Sequence, residues 1–333
     1  MPKRIFSGIQ PSGEVHIGNY VGALRNWARL AAEYECIYCL VDYHAITAPY
    51  PPAMMPGRVH EAAVAVLSAG VDPARTILFL QSDVPEHTEL AWVLASVTPL
   101  GALERMTQFK EKGAEQPSQN LGLLAYPVLQ AADILLYKAE LVPVGEDQVQ
   151  HLELAREIAR KFNAAFRPVF PEPQPLLTPT PRIMGVDGKT KMSKSRDNTI
   201  PMLDPPEAIW ERLRTAVTDE NRKRRSDPGN PDVCNIYTLH KAFSSAEEVE
   251  MVNRECRSAG IGCIDCKRLL HRNLTAELEP VRERAAELAR RPERVREILD
   301  DGARRARAIA SAVMEEVREA MGLRLPVKEP AGR

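Results

Sequence analysis

The sequence predicts an α/β protein in which a doubly wound parallel sheet is followed by an all-α carboxyl-terminal part. In the first half of the chain, short apolar runs alternate with segments of helical periodicity, which is typical of parallel strands joined by crossover helices. From about Met202 onward the pattern is helical, with no convincing strand. Because 333 residues leave room for about two domains, we expect a boundary between residues 200 and 201.

The expected elements of the first half follow one another in a regular order. An apolar strand at residues 4–10 is followed by a helix whose apolar stripe is formed by Tyr20, Leu24, Trp27 and Ala31. The later strands are expected at residues 36–47, 76–80 and 141–145, and the later helices at residues 59–70, 126–137 and 147–163. Six prolines between residues 167 and 182 then predict a stiff, irregular connector. In such a sheet, ligands bind beyond the carboxyl ends of the strands.

The composition excludes several classes of protein. With 44% hydrophobic and 27% charged residues, the chain has the make-up of a folded globular protein. A net charge of −1 gives no global positive field, so any contact with RNA must be regional, as at the basic run Arg222–Arg225. The first residues lack the apolar stretch of a signal peptide, and no run reaches the roughly 18 apolar residues that span a bilayer. We therefore expect a cytoplasmic protein without membrane contacts.

A segment of small residues between the first strand and the first helix is a candidate nucleotide site. It runs from Ser7 to Asn19 and places His16 and Asn19 near the start of the helix. Small residues let the backbone approach a ligand closely, and the free N–H groups of a helix start favour phosphate. The segment is not a Walker loop, because the Gly-Lys-Ser/Thr ending is absent.

A second candidate site is a cationic loop at residues 189–195. Lys189, Lys191 and Lys194 lie within six residues and repel one another unless solvent or an anion lies between them. A polyphosphate would fit between such side chains. The loop therefore predicts a second contact to phosphate groups.

Together, His16–Asn19 and Lys191–Ser195 resemble the paired His-Ile-Gly-Asn and Lys-Met-Ser-Lys-Ser signatures of class I aminoacyl-tRNA synthetases. The chain resembles the bacterial tryptophanyl-tRNA synthetases in further segments, at residues 6–13, 41–47, 104–112, 131–137 and 145–148. The resemblance covers roughly residues 3 to 323. It implies a Rossmann-type catalytic domain at residues 1–200, with a dimer-forming insertion at about 50–125 and the Lys-Met-Ser-Lys-Ser loop at 191–195, and a helical anticodon-recognition domain at 201–333.

The resemblance implies an ATP-dependent tryptophan–tRNA ligase. Such an enzyme activates L-tryptophan with ATP to form tryptophanyl-adenylate and pyrophosphate, and then transfers tryptophan to the 3′ end of tRNA(Trp). The substrate carboxylate attacks the α-phosphorus, so that positioning and charge stabilisation carry the catalysis and no protein nucleophile is required. A tyrosine-specific synthetase, a non-ligase nucleotidyltransferase and a silent RNA-binding homologue remain as alternatives.

The resemblance also assigns residues to tryptophan. Asp133 matches the family's acceptor for the indole N–H, a group that donates and cannot accept a hydrogen bond. The ring would be walled by Phe6, His44 and Val41, and the α-amino and carboxylate groups would be held by Tyr126, Gln148 and Gln10. Gln130 stands at a position where methionine is frequent in the tryptophan-specific enzymes. In this respect the chain resembles the tyrosine-specific relatives.

The residues that the resemblance assigns to ATP come from both motifs. Catalytic contacts to the triphosphate and to the leaving pyrophosphate are expected from His16, Asn19, Lys110, Lys112, Lys191 and Lys194. The other expected ATP-binding residues are Gly8, Gln10, Gly18, Gly145, Asp147, Met192 and Ser193. Mg²⁺ bound with ATP would neutralise the remaining charge.

The six cysteines fall into two groups. Cys36 and Cys39 lie three positions apart in an expected strand, where their side chains point to opposite faces and pack in the core. The other four lie in the helical part, and four thiolates suit zinc or an iron–sulfur cluster: Cys234, Cys256, Cys263 and Cys266. Their spacing is one residue shorter than that of a similar [4Fe-4S] motif in some bacterial tryptophanyl-tRNA synthetases. We expect a [4Fe-4S] cluster, with zinc or free buried thiols as the alternatives.

Overall fold

The structure is a computed structural model, and it describes residues 2–107, 109, 120–145, 148–177, 183–190, 192–193 and 196–323. Its centre is a five-stranded sheet with the strand order β3-β2-β1-β4-β5, in which every pair of neighbours is parallel. The strands are β1 (Arg4–Ile9), β2 (Glu35–Leu40), β3 (Ile77–Leu80), β4 (Leu141–Val144) and β5 (Gln174–Leu177). This sheet confirms the predicted fold class.

Helices connect the strands and form the rest of the described chain. Those of the first half are α1 (Ile17–Asn19), α2 (Arg25–Leu30), α3 (Asp42–Ala45), α4 (Met55–Ser68), α5 (Glu86–Ala95), α6 (Leu100–Glu104), α7 (Leu121–Leu135) and α8 (Val149–Ala165). Those of the second half are α9 (Pro206–Thr215), α10 (Asn235–Phe243), α11 (Ala246–Arg257), α12 (Cys263–Ala289) and α13 (Pro292–Met321). Single 3₁₀ turns lie at Pro52–Met54, Gln81–Asp83 and Pro231–Val233. In the described part of the chain, no helix has the length and apolar character needed to cross a membrane.

The helix after β1 contains an irregularity that the sequence pattern did not predict. Tyr20–Leu24 is π-helical and joins α1 to α2. The apolar stripe is nevertheless buried, and Trp27 stacks on Tyr38 of β2 with 4.3 Å between the ring centroids. Segments of π-helix occur mostly as single turns inside α-helices and often lie at functional sites. Here the π-helical turn directly follows His16–Asn19.

Two sequence-based expectations about strands were wrong in detail. The apolar run at residues 36–47 is a strand only as far as Leu40, and α3 follows it directly. The proline-rich connector contains β5, which pairs with β4 from Leu141↔Gln174 to Val144↔Leu177. Proline is tolerated in a strand at the edge of a sheet, because one side of such a strand donates no ladder hydrogen bonds. Pro175 is therefore compatible with β5.

The side chains of the central strands alternate between two cores. Cys36 and Tyr38 pack with buried residues of α2, α4 and α12, whereas Ile37 and Cys39 pack with buried residues of α5, α7 and α13. This confirms that the two thiols of β2 point to opposite faces. Burial raises the pKa of both thiols, which suits groups that serve only in packing.

The last helix returns to the sheet and packs on β3. At Gly302 of α13, an added Cβ would overlap the carbonyl oxygen of Leu78, so that only glycine permits this close approach. Nearby, the Arg305 guanidinium donates to the carbonyl oxygens of Pro73 and Thr76 at 3.1 and 3.0 Å. The carboxyl-terminal helix is thus part of the structure that supports the sheet.

We predict that Gly302→Ala lowers the free energy of unfolding by about 1–3 kcal/mol, because α13 must move away from the β3 backbone. Gly57→Ala on α4 is the matched control, since an added Cβ there meets nothing within 4 Å. Alanine favours the helix at such a position by roughly 0.5–1 kcal/mol. Urea unfolding followed by circular dichroism checks both variants, and equal stability of the two would contradict the close approach.

Candidate active site

The segment after β1 places its polar residues at the carboxyl end of the sheet. The backbone turns back at once, with the Ser12 N–H donating to the Gln10 carbonyl oxygen at 2.8 Å. His16 precedes α1, and its backbone N–H donates to Oδ1 of Asn19 at 3.2 Å. The Ile17 N–H donates to the Ile200 carbonyl oxygen at 2.9 Å. This last bond ties the first motif to the chain that follows the cationic loop at residues 189–195, the lysine loop.

The glycines of this segment allow close approaches that other residues would block. A Cβ at Gly18 would lie 2.9 Å from Nδ1 of His16 and 3.7 Å from Sδ of Met192. A Cβ at Gly8 would lie 2.8 Å from Cγ1 of Val41. The structure thus brings His16 and Met192, one from each sequence motif, close to Gly18.

Asn198 organises the stem of the lysine loop. It is 2% exposed, and its Oδ1 accepts a hydrogen bond from the Ser193 N–H at 2.7 Å. Its Nδ2 donates to Oδ2 of Asp187 and to Oγ1 of Thr190, both at 2.9 Å. The side chain packs where Gly185 has no Cβ, since a Cβ there would overlap the amide.

Asp187 is the second anchor of this stem. Its carboxylate also accepts from the backbone N–H groups of Lys189 and Thr190, at 3.1 and 3.2 Å. Desolvation acts to raise the pKa of Asp187, but the hydrogen bonds from Asn198, Thr190 and the backbone together hold that pKa well below its usual value. Both anchors therefore shape the chain that carries the lysines.

The helical part of the chain reaches this stem through Asn235. At the start of α10, the Nδ2 of Asn235 donates to the Gly185 carbonyl oxygen at 2.7 Å in a buried position. The preceding residue is Cys234, one of the four cysteines of the helical part. The cysteine region and the lysine loop are therefore neighbours in the fold.

The Asp133 carboxylate lies at the centre of a buried polar cluster. Asp133 is 1% exposed on α7, and its Oδ2 lies 2.7 Å from Nε2 of His44. Its Oδ1 accepts from Nε2 of Gln81 at 2.7 Å and lies 2.6 Å from Nδ1 of His87. Burial alone would raise the pKa of Asp133, but the charge and hydrogen bond of His44, with those of His87, hold it below its usual range. Asp133 is thus an anion that can only accept hydrogen bonds.

Two members of this cluster were not among the predicted site residues. Gln81 follows β3 directly, just as His44 lies in the short helix after β2. Because ligands bind beyond the carboxyl ends of the strands in such a sheet, Gln81 could have been predicted from its position. His87 lies in α5, and no local pattern in the sequence distinguishes it from a core histidine. Its Nε2 lies 2.8 Å from the hydroxyl of Tyr137, which extends the cluster.

Aromatic rings surround the cluster. Phe6 of β1 stacks on Tyr137 with 5.5 Å between centroids, and the Tyr126 ring stands edge-on to His44 at 6.2 Å. The Tyr126 hydroxyl lies 2.8 Å from Nε2 of His151. His151 was not among the predicted site residues. Burial raises the pKa of Tyr126 to about 12, which keeps the phenol protonated.

The remaining predicted residues lie around this region or outside the described part of the chain. Gln130 is half-buried one helical turn before Asp133 on α7, and Gln148 is half-buried just before α8. Gly8, Gln10 and Gly145 are exposed at or near the ends of β1 and β4. The predicted residues that lie outside the described ones are Lys110, Lys112, Asp147, Lys191 and Lys194.

The four cysteines of the helical part come from three segments. Cys234 precedes α10, Cys256 lies near the end of α11, and Cys263 and Cys266 lie in the first turn of α12. Nη1 of Arg222 lies 3.9 Å from the Cys256 sulfur and 3.8 Å from the Cys263 sulfur.

The thiols also share an environment. Burial raises the pKa of Cys266 to about 12, and the other three cysteines contribute to the rise. Burial also raises the pKa of Cys234 and of Cys256. Among the described residues, no group of three or more histidine, cysteine, aspartate or glutamate side chains is arranged to hold a metal ion.

Comparisons with known proteins define the class. The family model for class I tRNA synthetases (W and Y) matches residues 1–279. The chain therefore belongs to this family of class I aminoacyl-tRNA synthetases, which comprises the tryptophan and tyrosine enzymes. The matched region contains the residues described above at the carboxyl ends of the strands, and it contains all four cysteines of the helical part.

Within this family, the chain is similar to individual tryptophan enzymes. The chain is 53% identical to the tryptophan–tRNA ligase of Deinococcus radiodurans over 324 residues, which is 96% of this chain and 98% of that protein. It is 44% identical to that of Thermotoga maritima over 326 residues, with 96% and 99% covered. Among solved structures, tryptophanyl-tRNA synthetase from Campylobacter jejuni, complexed with ADP and tryptophan, is similar with a TM-score of 0.85 and 37% identity, and 96% and 99% of the two chains are covered.

Proposed function

We propose that this chain is a tryptophan–tRNA ligase, which activates L-tryptophan with ATP and transfers it to the 3′ end of tRNA(Trp). The observation that carries the proposal is the 53% identity, over nearly the whole chain, to a protein named tryptophan–tRNA ligase. The similar tyrosyl-tRNA synthetase structure from Archaeoglobus fulgidus is only 23% identical and indicates the shared fold alone. We expect the enzyme in the cytoplasm, where its substrates ATP and tRNA are found.

In this proposal, Asp133 accepts the indole N–H of tryptophan. Phe6 in β1 and Val41 just after β2 are buried and, with His44, would wall the ring. Tyr126, Gln148 and Gln10 would hold the α-amino and carboxylate groups. An anionic acceptor suits a group that only donates. The half-buried Gln130 lies one turn away on the same helix and would adjoin the ring.

ATP would bind between the two motifs. His16 and Asn19 lie at the start of the helix after β1, where they would bind the triphosphate and the helix dipole favours negative charge. The tryptophan carboxylate attacks the α-phosphorus, and Lys191 and Lys194, with Lys110 or Lys112, would stabilise charge on the departing pyrophosphate. Mg²⁺ bound with ATP supplies further charge neutralisation. We assign recognition of the anticodon to the helical residues 201–333.

Replacement of Asp133 tests the assignment of the substrate. Asp133→Ala should lose a hydrogen bond to a charged acceptor, which costs on the order of 2–3 kcal/mol in kcat/KM for tryptophan. The KM for ATP should barely change. ATP–pyrophosphate exchange measured with each amino acid gives both values, and Asp301→Ala on α13 is the control for loss of a carboxylate far from the site. Undiminished tryptophan activation by Asp133→Ala would contradict the assignment.

We further propose that the enzyme is a homodimer that associates through residues at about 50–125. Trp92 on α5 is 81% exposed, and Leu100 at the start of α6 is 59% exposed. Leu121, close by in sequence at the start of α7, is 76% exposed. Large exposed apolar side chains mark a protein interface where they form one patch, which the proposed dimer requires of these three residues.

We predict a dimer at micromolar concentration in equilibrium sedimentation. Trp92→Glu should shift the protein towards the monomer, because a charge would be buried at the interface. Leu323→Glu is the control, since Leu323 is similarly apolar and 60% exposed but lies beyond α13. A wild-type protein that sediments only as a monomer would refute the proposal.

We also propose that Cys234, Cys256, Cys263 and Cys266 hold a [4Fe-4S] cluster, with zinc as the alternative. The four cysteines come from three segments, and burial together with the other three thiols raises the pKa of Cys266. The Arg222 guanidinium beside two of the sulfurs would offset the negative charge of the thiolates. Burial raises the pKa of Cys234, Cys256 and Cys266, so binding of a metal by these residues as thiolates must release protons.

Anaerobic purification followed by metal analysis tests this site. We predict about four iron and four sulfide per chain, as a cubane requires. Cys263→Ser should lower both values, whereas Cys36→Ala should leave them unchanged because Cys36 is a core thiol of β2. Near-stoichiometric zinc without sulfide would indicate a zinc site instead, and a metal-free protein would leave the four residues as ordinary buried thiols.

A further inference from the structure

Three donors already surround the Asp133 carboxylate. A carboxylate offers about four acceptor sites, two on each oxygen. Gln81 and His87 both bond Oδ1, and His44 bonds Oδ2, all at 2.6–2.7 Å. Within the part of the chain that the structure describes, one acceptor site of Asp133 therefore remains, and it belongs to Oδ2.

The donors on Oδ1 are themselves held in one orientation. The Gln81 amide is bonded at both ends, because its Oε1 accepts from the Tyr43 N–H at 3.1 Å while its Nε2 donates to Asp133. The carboxylate can only accept, so Nδ1 of His87 carries the hydrogen. Its Nε2 lies 2.8 Å from the Tyr137 hydroxyl, so the imidazole ring is bonded on both sides. Tyr137 and His87 are both fully buried, so neither side chain is exposed to bulk solvent.

We propose that Gln81 and His87 are positioning residues that determine specificity for the indole N–H: they occupy Oδ1 of Asp133 and leave Oδ2 to receive one donor from the substrate. The proposal rests on the proposed function, in which Asp133 contacts the indole. Neither residue needs to touch tryptophan. They act by orienting the carboxylate, and Tyr137 acts one step farther away by holding the His87 ring in place.

An orienting role of Gln81 and His87 predicts a result that a role in fold stability alone does not. A residue that only stabilises the fold would affect all substrates alike. A residue that orients the acceptor should instead affect tryptophan more than an analogue without the N–H. β-(3-Benzothienyl)alanine is such an analogue, since sulfur replaces the N–H in a ring of nearly the same shape.

The experiment compares kcat/KM for tryptophan and benzothienylalanine in ATP–pyrophosphate exchange by the full-length enzyme. The wild type should prefer tryptophan, and His87→Phe should reduce this preference at least about fivefold, as expected when a hydrogen bond to a charged group is weakened. Tyr137→Phe, which removes one hydroxyl, and Gln81→Met should each reduce it by about two- to threefold. His60→Phe on α4 is the matched control and should leave the ratio unchanged.

An unchanged ratio in the folded His87→Phe, Tyr137→Phe and Gln81→Met variants would overturn the proposal even if overall activity fell. The two milder variants decide the matter if His87→Phe does not fold. A wild-type enzyme that activates tryptophan and benzothienylalanine equally well would show that Asp133 does not bind the indole N–H. A wild-type enzyme that activates neither would instead contradict the proposed function.

Discussion

The buried carboxylate of Asp133 holds together the segments that surround the carboxyl ends of the central strands. It joins α7 to α3 through His44, to the turn after β3 through Gln81, and to α5 through His87. A buried charge is costly unless it is paired and hydrogen-bonded, so removal of one partner destabilises the others. The same interactions that keep Asp133 ionised therefore keep the floor of the candidate site in one shape.

The second determinant of the site is the connection between the two halves of the chain. Asn198 and Asp187 shape the stem of the lysine loop, and Asn235 bonds that stem from the start of α10. The Ile17–Ile200 backbone bond and the contact of Gly18 with Met192 bring the loop to the first motif. Two motifs that are about 170 residues apart in sequence thus become one surface because the chain after the lysine loop packs beside α1.

The helical half is integrated with the sheet rather than appended to it. Helix α13 lies against β3 at Gly302, and α12 shares a core with α4 and β2. Cys234 immediately precedes Asn235, so the cysteine region adjoins the stem of the lysine loop. The helical residues therefore pack directly against the strands that position the site.

The sequence by itself determined the features that depend on local pattern. Alternating apolar runs predicted the parallel sheet, and contiguous motifs predicted His16, Asn19, Asp133 and the lysine loop, because a strand period or a short motif is complete within a few residues. Only the tertiary structure decided which partners Asp133 has. Gln81 and His87 are 52 and 46 positions away from it, and a buried hydrogen bond between distant residues leaves no periodic trace in the sequence. The edge position of β5 and the return of α13 to β3 were likewise decided by packing. Proline is tolerated in β5 because one side of an edge strand has no neighbour, whereas glycine is needed in α13 because the β3 backbone approaches it closely.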